Sequence, residues 1–237
     1  MFLWGLWIDP LYLVLFVFTL VISGAAQLYI RSTFGKWSAV RNSSGLAGAQ
    51  VGERLIAGVD FGGARGSATG ISFKIVPGEL SDHFDPRTRE IGLSAAVASQ
   101  NSVAAMAVTA HEVGHAQQHA EGTVAMRLRS VLVPAVTFSP MLSYLLIFLG
   151  LILNLTGLFW LGIIVFGLMV LFSILTLPVE IGASRRALVM LRDTGMIATT
   201  QDEDGVRRVL IAAAMTYVAA AVTSILTLLY YISLARR

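Results

Sequence analysis

Three stretches of the chain contain no Asp, Glu, Lys or Arg: Pro10 to Ile30, Ser130 to Val179 and Val209 to Ala235. A helix through a hydrocarbon core of about 30 Å needs roughly 20 apolar residues, and each stretch meets that length. Inside hydrocarbon the backbone must satisfy its own hydrogen bonds, so such stretches can cross only as helices. The middle one is too long for a single crossing. It divides at Asn154, Leu155, Thr156 and Gly157, a polar and flexible tetrapeptide suited to a tight turn between antiparallel helices. Four transmembrane helices are therefore expected. The chain is 56% hydrophobic and only 13% charged, whereas about a quarter of the residues of an ordinary soluble domain carry charge.

The first apolar stretch lacks a basic leader and a small-residue cleavage pattern, so it is expected to stay as an anchor. Trp4, Trp7, Tyr12, Tyr230 and Tyr231 stand near the ends of spans, where amphipathic rings favour the headgroup layer. The resulting division is a helix over 1–30, a polar region over 31–129, a transmembrane hairpin over 130–179, a second polar segment over 180–208, and a last helix over 209–237. Both polar segments then share one side. Fifteen of the 17 basic residues fall there, and only Arg236 and Arg237 oppose them. The positive-inside rule puts that side in the cytoplasm, which predicts a multi-pass protein of the cell membrane.

The basic residues beside the spans are accounted for by topology and the lipid bilayer, and no stacked aromatic stripe suggests nucleic acid. Cysteine is absent, which excludes disulfides and thiolate metal sites. The spans also carry no internal ionisable residue, which argues against a transporter.

Within the polar region, Glu53 to Ile56 suggests one short helix. Short alternating runs follow, with Ile71, Phe73 and Ile75, then Ile91 and Leu93, separated by Pro77, Gly78 and the Asp85–Pro86 turn. They predict a small antiparallel sheet. From Val97 to Glu121 the chain is free of proline and rich in Ala, and Gly122 follows as a stop, which predicts a helix. The fold class is thus mainly α, with four transmembrane helices and a small cytoplasmic α+β region.

That helix carries His111, Glu112, Val113, Gly114 and His115, an HExxH pattern. Histidines four apart project from one helix face, and both imidazoles can reach one zinc at about 2.0–2.1 Å. Glu112 falls beside the pair, placed to take a proton from water that zinc acidifies to a pKa of about 7. The expected chemistry is peptide hydrolysis with one zinc per chain and a polypeptide substrate.

Catalytic zinc usually takes three protein ligands. His119 lies about 12 Å along the axis from His111 and cannot join His111 and His115 on one ion. The longer HExxHxxGxxH pattern is absent, since Gln118 and Glu121 stand where Gly and His would be needed. Glu180, at the end of the third span, is the preferred third ligand, because a carboxylate at the hydrocarbon boundary needs a partner. The alternatives are that Glu180 pairs with Arg185 or Arg186, and that His83 is the ligand.

The stretches Asp82 to Arg87 (DHFDPR), Leu93–Ser94, Ala110 to Gln118 (AHEVGHAQQ), Leu177 to Glu180 and Ala183 to Leu188 (ASRRAL) resemble the neutral zinc metallopeptidases of bacterial membranes, the YugP-like family. That family is distantly similar to HtpX-type membrane proteases. The resemblance covers most of the chain and implies a zincin-like catalytic region. Residue by residue, it implies zinc on His111 and His115, catalysis by Glu112, and Glu180 as third ligand by analogy with related gluzincins. Two departures stand out: Ile181 and Gly182 replace the family's common Phe and Asp, and Ala95 and Ala96 replace acidic residues. A carboxylate at 182 could orient a ligating histidine from outside, and Asp193 or Asp202 is expected to substitute.

The leading expectation is a membrane zinc endopeptidase whose extended substrate pairs along the Ile91–Ser94 strand edge. The alternative is a zinc-binding membrane interaction protein with weak or lost turnover. Intramembrane proteolysis is disfavoured, because only Val103 to Ala110 is apolar before His111, too short to cross.

Overall fold

The computed structural model describes residues 9–58 and 70–236. Trp4 and Trp7, expected at a membrane interface, lie outside the described residues. The elements in chain order are α1 (Pro10–Ser38), α2 (Gly48–Gly58), β1 (Ser72–Val76), β2 (His83–Asp85), β3 (Glu90–Ser94), α3 (Ala95–Ser99), α4 (Val103–Ala120), α5 (Val124–Ile152), α6 (Thr156–Asp193) and α7 (Thr200–Ala235). Mainly helical, the protein has four helices long and apolar enough to cross a membrane, namely α1, α5, α6 and α7. The chain forms two compact units.

The first unit holds the chain up to Gln27, Leu128–Leu177 and the chain from Thr216. Its outward side chains are apolar, among them Val17, Val131, Phe138 and Met141, as helices facing lipid require. A Cβ on Gly150 would stand 2.5 Å from the backbone nitrogen of Phe159, and one on Gly162 2.8 Å from that of Ile147. Glycine at these two positions therefore lets α5 and α6 touch backbone to backbone, the usual device where lipid supplies no hydrophobic drive between helices. Asn154 closes the turn between them with φ +54°, a conformation Asn tolerates better than most residues. Tyr230 donates from its hydroxyl to Asp9 at 3.2 Å, and its ring meets Tyr12.

The second unit holds Leu28–Arg127 and Pro178–Met215. Its core gathers Trp37, Val51, Leu55, Ile91, Leu93, Met106, Val113, Leu191 and Val206. The sheet departs from the expected antiparallel meander. Its order is β1-β3-β2, with β1 parallel and β2 antiparallel to β3. Burial explains the order: β3 is buried along nearly its whole length, whereas β2 has three residues and none is buried. The apolar strand takes the centre, and the Asp85 turn, with Arg87 N–H donating to Asp85 at 2.8 Å, folds β2 back along one side. Ile91–Ser94 is consequently not an edge, and a substrate cannot add to it.

Helix boundaries also differ from expectation. The motif helix begins at Val103 rather than Val97, because the Ser102 side chain accepts the Ala105 N–H at 3.1 Å and caps it there. Ala95–Ser99 form a separate turn of helix, α3. Gly122 ends the run with φ +62°. The short helix suggested around Glu53 extends over Gly48–Gly58. Past the apolar stretch, α6 continues unbroken through Pro178 to Asp193, so the residues after Glu180 are helical.

Candidate metal centre

Within the second unit, α4 and the part of α6 from Pro178 onward build the site. On α4, His111 and His115 lie one turn apart with rings edge to face at 4.7 Å. Glu180 projects from α6. Its Oε2 lies 3.2 Å from His111 Nε2 and 3.4 Å from His115 Nε2. One ligand atom from each of the three residues falls within 4.8 Å of the others. Glu180 is 2% exposed and His115 is also buried.

The close approach of the helices comes from Gly114, between the histidines. A Cβ there would lie 2.6 Å from the carbonyl oxygen of Ala183. Only glycine lets the α4 backbone rest on α6 at this point, and the contact lies one turn from Glu180. At the solvent end, Arg186 donates to both carboxylate oxygens of Glu121 at 2.8 and 2.7 Å. The alternative pairing of Glu180 with Arg186 is thus not the one formed.

The environment of the ligand atoms favours a cation. Gln118 donates from Nε2 to the Val179 carbonyl at 2.8 Å, so its Oε1 is the atom facing His115 Nδ1 at 3.1 Å. An amide oxygen only accepts, and Nδ1 therefore carries the proton. The neutral ring then presents a lone pair at Nε2 to the Glu180 carboxylate, and two acceptors 3.4 Å apart repel unless a proton or metal lies between them. Two imidazoles and one carboxylate, convergent and with His115 and Glu180 buried, fit zinc.

Glu112 is buried on α4 next to His111 and makes no ion pair among the described residues. The other candidates lie elsewhere. His83 is exposed on β2, its ring nitrogen 2.9 Å from the Ser81 carbonyl, and the His119 ring lies tilted against Phe84. Asp193 is exposed. Asp202 is buried but accepts from the Ser43 hydroxyl and backbone N–H, so neither acid takes the orienting position expected of it. The sequence reading missed Gln118 and also Ser184, whose hydroxyl lies 3.3 Å from His111 Nδ1. The signal for Gln118 was its spacing three residues after His115, on the same helix face.

The chain matches, over residues 12–236, the family described as "Putative neutral zinc metallopeptidase". It is 40% identical over 222 residues to "Putative membrane protease YugP" of Bacillus subtilis (strain 168), covering 94% of this chain and 95% of that protein. No solved structure matches it.

Proposed function

The chain belongs to the "Putative neutral zinc metallopeptidase" family, and we propose that it is a membrane-embedded, zinc-dependent endopeptidase. The observation that carries this reading is the convergence of His111, His115 and Glu180 to within 4.8 Å beside a buried Glu112. His111 Nε2, His115 Nε2 and a Glu180 carboxylate oxygen would hold the ion. When bound there, zinc supplies a Lewis acid that polarises the scissile carbonyl and brings the pKa of water to about 7. Glu112 accepts the proton of the attacking water and passes it to the leaving amine nitrogen, so one carboxylate serves as base and then acid. The Glu180 carboxylate would offset part of the charge of an ion held by the two imidazoles.

The substrate class is an extended polypeptide from membrane or membrane-proximal proteins. With β3 enclosed, the sheet edges among the described residues are β1 and β2, and β2 is the one that meets α4 through Phe84 and His119, which favours it for substrate pairing. The excess of basic residues in the polar segments supports a cytoplasmic active site. The test is Glu112→Gln in detergent-purified full-length protein. Cleavage of an unfolded casein substrate should vanish while zinc content stays at the wild-type level. Undiminished cleavage would rule out the proton-transfer role.

A further inference from the structure

Gln118 ties three parts of the site together. It is 4% exposed, and both ends of its amide are engaged, with Nε2 donating to the Val179 carbonyl and Oε1 accepting from His115 Nδ1. The Val179 bond fixes which way the amide faces. That in turn fixes the His115 tautomer, and the remaining ring nitrogen points at Glu180 Oε2. Because Val179 is adjacent to Glu180 in α6, the same amide links the backbone that carries one ligand to the ring that is another.

Gly182 supplies a second, independent observation. A Cβ at this position would lie 2.5 Å from Gln118 Nε2. The volume the amide occupies is therefore the volume a side chain at 182 would enter. A side chain at 182 would therefore oblige the Gln118 amide to shift from this orientation. With Gln118 shortened, an acidic side chain at 182 would enter the space its amide nitrogen now fills.

We propose that Gln118 is the positioning residue for His115, fixing its tautomer and ring plane for metal binding, and that the space left at Gly182 accommodates its amide in this orientation. This rests on the zinc reading above. Groups that orient a ligating histidine typically contribute about 10–100-fold to metal affinity. Ser184 faces His111 in the equivalent place, but a hydroxyl can donate or accept and so does not dictate a tautomer. The two histidines are thus held by different means, and the effect of Gln118 should act through His115.

The experiment is zinc affinity by competition with a chromophoric chelator, on detergent-purified full-length wild type, Gln118→Ala, Gln118→Met and the double variant Gln118→Ala/Gly182→Asp. Both single variants should bind zinc about 10–100-fold more weakly than wild type. Gln118→Met keeps the length and burial of the side chain and reports on the loss if the alanine variant does not purify folded. The double variant should recover most of the affinity, because Asp offers an acceptor to His115 Nδ1 from α6 without restoring the bond to Val179. Wild-type affinity in Gln118→Met overturns the proposal. So does a loss in Gln118→Ala that Gly182→Asp leaves uncorrected, since the bond to Val179 would then be what matters. A wild type that binds no zinc defeats the metallopeptidase reading itself, a result distinct from either.

Discussion

Gly114→Ala tests how the site is assembled rather than what it contains. The added methyl would stand 2.6 Å from the Ala183 carbonyl oxygen and 3.2 Å from the Ala183 carbonyl carbon, where ordinary contact begins at 3.4 Å. Both obstacles are backbone and cannot rotate aside, so α4 and α6 must part by about 0.8 Å at that level. Glu180 lies three residues before Ala183, about 4.5 Å along the axis, and so moves nearly as far from the histidines. Metal–ligand distances tolerate only about 0.2 Å. Overpacking costs about 1–3 kcal/mol, while alanine gains about 1 kcal/mol over glycine in a helix, so folding stability should fall by no more than about 2 kcal/mol. Zinc affinity should fall further, by at least the roughly 10-fold that attends disturbance of groups outside the ligand set. Chelator competition and thermal unfolding on the same preparation separate the two quantities. A variant that binds zinc as tightly as wild type would refute the claim that this backbone contact sets the ligand geometry.

Other perturbations should divide between stability and metal binding. Asp202→Ala removes the buried acceptor of the Ser43 hydroxyl and N–H, so thermal unfolding should report a loss of about 1–3 kcal/mol with zinc content unchanged. A fall in zinc would mean that Asp202 supports the site after all. Arg186→Ala breaks the ion pair with Glu121, whose side chains are about 30% exposed. It should cost under about 1 kcal/mol and leave zinc affinity intact; a large affinity loss would show that this pair, rather than Gly114, sets the helix spacing. For Glu112→Gln the two readouts should part completely, with hydrolysis lost and zinc retained.

The parts of the protein governed by a single long-range requirement were legible in the sequence. Crossing hydrocarbon demands length and lack of charge, and the apolar stretches that meet it fall in α1, α5, α6 and α7. Histidines at i and i+4 must share a helix face, and a carboxylate at the end of an apolar run must find a partner. Those two constraints select the same three residues that the structure brings together. What the sequence did not disclose depends on comparisons between elements. Strand order turned on β2 being shorter and more exposed than β3, a difference that alternation alone does not rank. The start of α4 turned on one cap at Ser102, within a run otherwise equally helical. Gln118 could not be assigned because its orientation is set by a carbonyl on α6, 61 residues away in sequence. Asp202, expected to stand in for the carboxylate missing at 182, instead accepts from Ser43.

The most direct test of the account is metal content per chain, measured by plasma mass spectrometry on detergent-purified wild type and Glu180→Ala side by side. The account predicts close to one zinc per wild-type chain and a small fraction of that in the variant. Zinc retained in full by Glu180→Ala would contradict the assignment of the third ligand, and no zinc in either protein would contradict the metal centre itself.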